Sequence, residues 1–266
     1  MIIHNESMED YLGHKECISS HLLNKYIHSP STYKRYVDGE KNPPTPAMKF
    51  GSAAHKLILE GDEAFQKSYA IGGPINPSSK KPYKPKALAW TKHEALIGKT
   101  CIPDEDMWKL QKMRNNVLKH KKASILLEDG ESEVVIRLDD FQGLPAQCRL
   151  DRLSNAGNGI VDLKTTASLT YFESDCFRFG YARQVSFYNA LYGMETGLVD
   201  EPVHIIAVEN APPHEVGVWR ITKQLLAKSE CEMIDAIVGT AETSGLLDSI
   251  ENNWWPTGYE TIRMLG

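Results

Sequence analysis

"GIVDLKTT", residues 159–166, is the stretch on which the reading of this chain turns. Ile160, Val161, Leu163 and Thr165 favour a β-strand. Residues i and i+2 of a strand point to the same face, so Asp162 and Lys164 stand side by side. A lone Asp-x-Lys is also what an ordinary surface ion pair looks like, and such pairs contribute little. Here Ile160, Val161 and Leu163 give the strand at least one buried face, where an unpaired carboxylate is costly.

Working outward, "SEVVIRLDDF" (132–141) reads as a first strand and "PAQCRLDRL" (145–153) as a second, with "QGLP" and "SNAGNG" as turns. Residues 160–165 are then the third strand. The short connection makes the second and third strands antiparallel neighbours about 5 Å apart. Asp151 and Asp162 thereby come close near the strand ends. Two carboxylates this close repel unless a cation sits between them. Hard oxygen ligands suit Mg²⁺ or Mn²⁺. Lys164 would hold a water or a developing negative charge beside the metal.

Residues 173–194 read as a helix with Phe177, Tyr181, Val185, Tyr188 and Tyr192 at helical spacing. "VHIIAVEN" (203–210) is a buried strand, "EVGVWRIT" (215–222) an edge strand, and 223–238 a final helix. The intervening helix lets the fourth strand return to the same sheet by a crossover. The fold class is therefore α/β: a mixed sheet flanked by helices. Upstream the chain is mostly helical. Two short helices span 17–37, with Ser19 or Ser20 as a cap, and a helix from Ala47 to Glu60 ends at Gly61. Residues 71–86 form a Gly-, Pro- and Lys-rich loop, and helices cover 87–98 and 104–122.

The 266 residues are 41% hydrophobic and 24% charged, the make-up of a soluble globular protein. No apolar run of about 18 residues suggests a transmembrane helix or a membrane partner. The N-terminal stretch lacks the basic start and apolar segment of a signal peptide, which places the protein in the cytoplasm. Cys17, Cys101, Cys148, Cys176 and Cys231 are widely spaced, with no C-x-x-C pair that would suggest zinc or iron–sulfur ligation. Net charge is −5, unevenly spread. Residues 1–126 carry 20 Lys+Arg against 13 Asp+Glu, or +7, and residues 127–266 carry 10 against 22, or −12. That split suits one polyanion-facing surface and a carboxylate-rich site elsewhere.

Asp151, then Asp162-Leu163-Lys164, then a helix carrying Gln184 and Tyr188 in "QVSFY" resembles the PD-(D/E)XK nuclease superfamily. Upstream, "GSAAH" supplies Gly51 and His55 in the Gly-x-x-x-His of the RecB-like branch. "ISSHLLNKYIHSPSTYKRY", "MKFGSAAHKLILEG" and "KTCIPDEDMWKLQKM" look like the RecE-type (exodeoxyribonuclease VIII) and phage-recombination exonucleases. The resemblance spans residues 17–222. Asp162 replaces the commoner Glu and no proline precedes Asp151. The cysteine quartet of iron–sulfur relatives is missing, so no cluster is expected.

The resemblance implies a single restriction-endonuclease-like domain over 1–266. Its helical part, 1–126, faces DNA, its catalytic α/β core is 127–240, and 241–266 is a tail. His55, Asp151, Asp162 and the Leu163 carbonyl would hold Mg²⁺, replaceable by Mn²⁺, with two ions per site, and Glu133 is a further candidate ligand. Lys164 would orient or help deprotonate the attacking water, with Gln184 beside it. Gln184, Tyr188, Arg149, Arg152, Lys80, Lys81, Lys84 and Trp90 are candidate DNA contacts. The implied activity is 5′→3′ digestion of double-stranded DNA to 5′-mononucleotides, leaving 3′ single strands for recombination. A ring of three or four subunits, a single-strand annealing partner and a bacterial or phage origin go with it. Another PD-(D/E)XK nuclease habit, single-strand exonuclease or structure-specific endonuclease, or a non-catalytic DNA scaffold are the alternatives.

Overall fold

The computed structural model describes residues 1–40, 42–85, 87–154, 157, 159–198 and 201–257. The chain opens with β1 (Ile2–Ile3), α1 (Met8–Gly13), α2 (Ser20–His28) and α3 (Pro30–Val37). Next come α4 (Pro46–His55), a π-helical turn (Lys56–Glu60) and α5 (Gly61–Ser68). β2 (Tyr69–Ile71) and β3 (Thr100–Ile102) flank α6 (Leu88–Ile97), and α7 (Asp104–Lys119) and α8 (Lys121–Glu128) lead into the main sheet. There β4 (Glu131–Phe141), β5 (Leu144–Ser154) and β6 (Gly159–Thr166) form the expected meander. A 3₁₀ turn (Leu169–Tyr171), α9 (Phe172–Arg178) and α10 (Tyr181–Thr196) cross to β7 (Val203–Glu209), which turns back into β8 (Val216–Arg220). α11 (Lys223–Val238) and α12 (Leu246–Asn252) follow.

The main sheet runs β1-β4-β5-β6-β7-β8. β6 and β7 are parallel, and the other neighbours are antiparallel. This mixed sheet between helical layers is the restriction-endonuclease-like architecture. Each face carries its own apolar core. One packs Val134, Ile136, Cys148, Leu150 and Ile160 against Leu23 of α2, Val185 and Phe187 of α10 and Met233 of α11. The other packs Val161, Leu163 and Ile206 against Ala53 and Ala54 of α4, Leu57 to Leu59 of the π turn and Leu110 and Met113 of α7. β6 feeds both cores by strand alternation: Ile160 enters the first, Val161 and Leu163 the second. Burying a leucine or isoleucine this fully contributes about 1.5–3 kcal/mol each. The strand bearing Asp162 is thus fixed from both sides.

Several elements depart from sequence expectation, each for a local reason. The helix expected over 173–194 is two helices, because Gly180 takes φ +71° and swings the chain between them. Phe177, read as part of the apolar stripe, is exposed in consequence. The helix expected to end at Gly61 becomes π-helical after His55, and Gly61 opens α5 instead. Ser19, not Ser20, caps α2, its hydroxyl accepting from the Leu22 amide. The loop after α5 carries a small parallel ladder, Tyr69 to Thr100 through Ile71 to Ile102. The expected tail contains α12, whose Leu246 and Ser249 are buried. Residues 258–266 of that tail, and 155, 156 and 158 of the turn before β6, lie outside the described residues. Among the described residues no helix is long and apolar enough to cross a membrane. The cysteines are free, four of them buried.

The start of β6 offers a stability test. Gly159 has φ +65°, and a β-carbon there would lie 2.0 Å from the Pro202 carbonyl oxygen. Gly159→Ala therefore costs at least about 2 kcal/mol, lowering Tm by roughly 4–8 °C. At Gly51 a β-carbon would meet only Thr165 Oγ1, at 3.5 Å, an ordinary contact. Gly51→Ala in α4 is expected to hold or raise Tm, since alanine in a helix is favoured by about 0.5–1 kcal/mol. Thermal unfolding of the two variants checks both.

Candidate active site

Among the described residues β5 and β6 pair at Arg152–Val161, Leu153–Ile160 and Ser154–Gly159. Beyond that they part, and Asp151 fills the gap: its Oδ2 accepts the Leu163 amide at 2.8 Å. A strand residue's N–H and C=O project to the same edge, so the Leu163 carbonyl faces this gap too. Asp162 is fully buried. Among the described residues its Oδ1 has no hydrogen-bond partner, and its Oδ2 meets the Lys164 ammonium, 2.5 Å away, as an ion contact without hydrogen-bond geometry. The expected adjacency of Asp162 and Lys164 is therefore a buried ion pair. His55, about a hundred residues upstream, arrives on the last turn of α4 with Nδ1 3.4 Å from Asp151 Oδ2.

Burial and mutual charge set the protonation of the group. Burial pushes the Asp162 carboxyl up to about 6, partly offset by Lys164, while Asp151 adds to the rise. Asp151 is buried as well, but His55, Lys164 and the Leu163 amide together hold it below the usual carboxylate range. Burial works to lower Lys164 and His55. The neighbouring carboxylates outweigh it, and both titrate above their ordinary values.

The group opens into a cleft of about 750 Å³. α4 lines it with Met48, Gly51, Ser52 and His55, α10 with Tyr181, Gln184 and Tyr188, and the sheet with Glu133, Arg149, Asp151 and Lys164. Gln184 and Tyr188 share a helix face, as expected, and Gln184 Nε2 donates to the Tyr188 hydroxyl at 2.6 Å. Burial raises the Tyr188 phenol well above its ordinary value, and the charges of Asp162 and Asp151 add to it. Lys164 Nζ lies 5.0 Å from the Tyr181 ring centroid.

The outlying candidates separate. Glu133 sits across from Asp151 in the ladder at φ +61°, and its carboxylate accepts from Arg149 Nε. It enters the cleft already ion-paired. Arg152 is a brace, donating to the Leu127 carbonyl and the Ser132 hydroxyl, and is not among the cleft residues. Trp90 corrects the sequence reading: it is 4% exposed, covers Gly73 and donates to Glu94, so no ring face is free for a base. An aromatic among lysines resembles a stacking element, but here it anchors its own loop. Lys80, Lys81 and Lys84 are exposed on that loop. Lys56, Glu60, Tyr69 and Tyr11 line the cleft and were not foreseen. The spacing of 48, 51, 52 and 55 is a legible helix stripe, whereas nothing in the sequence marks the π turn that follows.

Among the described residues, no three His, Cys, Asp or Glu side chains close on one point as a metal site. The donor chemistry nevertheless fits a divalent cation. A buried carboxylate with an unpartnered oxygen, a second carboxylate, an imidazole and a carbonyl edge face one gap. Lys164 now supplies the positive charge that such an ion would bring.

Residues 19–241 match the family described as PDDEXK-like domain of unknown function (DUF3799). The chain belongs to this PDDEXK-like family. No curated protein matches it. Among solved structures it is similar to a protein from Eubacterium rectale that is described, provisionally, as an exonuclease. That likeness has 13% identity, 87% coverage of this chain, 84% of the other, and a TM-score of 0.63. At this identity it speaks for the fold. The acidic pair and lysine of this PDDEXK-like chain lie where its two central strands diverge.

Cation binding to the carboxylates must displace the Asp162 proton, which leaves near pH 6. Mn²⁺ is therefore expected to stabilise the protein little at pH 5 and far more at about pH 8, because the His55 proton, held above the ordinary imidazole range by the carboxylates, must leave as well. At a hundred times Kd the gain is about 2.7 kcal/mol, or roughly 5–10 °C in Tm. Asp162→Asn should remove it. An equal Mn²⁺ gain at both pH values would contradict this assignment.

Proposed function

We propose that this protein is a divalent-metal-dependent exodeoxyribonuclease that digests double-stranded DNA 5′→3′, leaving 3′ single strands for recombination by strand annealing. The observation that carries the nuclease reading is the Asp151–Leu163–Asp162–Lys164 group at the divergence of β5 and β6, opening into a cleft. Polarity and duplex preference draw their support from the RecE-type resemblance of residues 18–36, 48–61 and 99–113.

Asp151, Asp162, the Leu163 carbonyl and His55 would hold Mg²⁺ or Mn²⁺, with two ions per site. Bound there, the metal supplies electrophilic assistance at the phosphate. Asp151 stays ionised across physiological pH, since its neighbours hold it low. Lys164 stays cationic and supplies fixed positive charge where the phosphorane develops negative charge. Gln184 and Tyr188, bonded to each other, line the same cleft as His55 and would orient the strand. Lys80, Lys81 and Lys84 would track the backbone outside the cleft, adding a salt-dependent, sequence-independent attraction. Assembly as a ring of three or four copies, cooperation with a single-strand annealing protein and a cytoplasmic, bacterial or phage-encoded setting complete the proposal.

Linear blunt duplex labelled separately at its 5′ and 3′ ends should release 5′-mononucleotides from the 5′ end, only with Mg²⁺ or Mn²⁺. Closed circular DNA should survive. Nicking of the circle makes the protein an endonuclease, and release from the 3′ end reverses the polarity. Lys164→Met should lower the rate at least about a hundredfold while DNA binding stays within threefold. A residual rate above about a tenth of wild type contradicts the role of Lys164.

A further inference from the structure

Met48, Gly51, Ser52 and His55 form one stripe of α4 at spacings of three and four residues, and all line the cleft. Continued as an α-helix, the stripe would next present residues 58 and 59. Those are Ile58 and Leu59, which instead lie in the apolar core with Leu57. The π-helical turn at Lys56–Glu60 resolves the conflict. An α-helix would set Glu60 about 140° around from His55. A wider turn bonded i to i+5 narrows that angle. The apolar triplet is sent inward, and Lys56 and Glu60 both reach the cleft.

The three cations of Lys56, Arg149 and Lys164 differ in freedom. Arg149 is 14% exposed, donating to Glu133 and to the Glu6 carbonyl. Lys164 is 12% exposed and clasps buried Asp162. Lys56 is 28% exposed, and among the described residues its ammonium contacts Glu60, at 2.7 Å. It is the most available positive charge in a cleft whose neighbouring charge comes from Asp151, Glu133 and Glu60.

We propose that Lys56 is a DNA-phosphate-binding residue of this cleft, on the His55 side, and that Glu60 is a positioning residue holding its ammonium over the strand. This inference rests on the nuclease reading above. The ligand is a non-bridging oxygen of a phosphodiester beside the scissile one, taking an N–H from Lys56. Through the π turn the pair reaches the cleft while Ile58 and Leu59 stay in the apolar core.

The test compares wild type with Lys56→Met, Lys56→Arg and Glu60→Gln on a 5′-phosphorylated linear duplex, measuring kcat, KM and the salt dependence of binding. Lys56→Met should raise KM about tenfold, leave kcat within threefold and lower the log–log salt slope by about 0.9. Lys56→Arg should restore KM to within threefold. Glu60→Gln should raise KM less than Lys56→Met does and leave the salt slope unchanged, since the ammonium remains. An unchanged KM and slope in Lys56→Met overturns the inference, as does a loss confined to kcat. Wild-type protein that neither binds nor degrades DNA with Mg²⁺ overturns the nuclease reading itself, and the inference with it. Normal wild-type degradation with an insensitive Lys56→Met variant overturns the inference alone.

Discussion

A carboxylate shut away from water, with one ammonium for company, sets the terms of this molecule. Asp162 is fully buried and lacks hydrogen-bond donors among the described residues, so its charge must be met by a cation. Lys164 meets it now, from two residues along the same strand. Such a pair is weak evidence for stability, because desolvating both charges consumes most of their attraction. Its presence in the middle of a sheet points to chemistry instead. What makes it tolerable is the strand that carries it. Ile160 is locked into one core and Val161 and Leu163 into the other, so β6 has little freedom to relieve the burial by moving.

The second constraint is the parting of β5 from β6. A continuous ladder would have satisfied the Leu163 amide with a main-chain carbonyl. Asp151 satisfies it with a side chain. One carboxylate thus does the work of a strand, and opens the gap that His55 and the cleft share. The basic half of the chain borders that gap with α4 and the π turn. The acidic half supplies its floor.

The floor was legible in the sequence, and the walls were legible only in part. Asp151, Asp162 and Lys164 follow from strand periodicity and a short turn, both local rules. The parting of the strands is not local: nothing in "RLDRLSNAGNG" distinguishes an unbroken hairpin from one opened by its own aspartate. His55 depended on the motif resemblance, since no periodicity links residues so far apart. Lys56 and Glu60 escaped because a 3.6-residue period cannot foresee a turn that breaks it. Trp90 was misread because composition does not tell an anchor from a platform, and that distinction lies in the backbone of Gly73 beneath the ring. The break at Gly180 was available as a glycine inside a helical pattern, but the flanking aromatics hid it.

The central claim is that the buried pair and its neighbours form a cation site for phosphodiester hydrolysis. Anomalous diffraction from crystals soaked in Mn²⁺ tests it most directly. The account predicts a peak bonded to Asp151, Asp162 and the Leu163 carbonyl, with the Lys164 ammonium displaced from Asp162. Mn²⁺ elsewhere on the protein, with the Lys164–Asp162 contact intact and the gap empty of density, would contradict it.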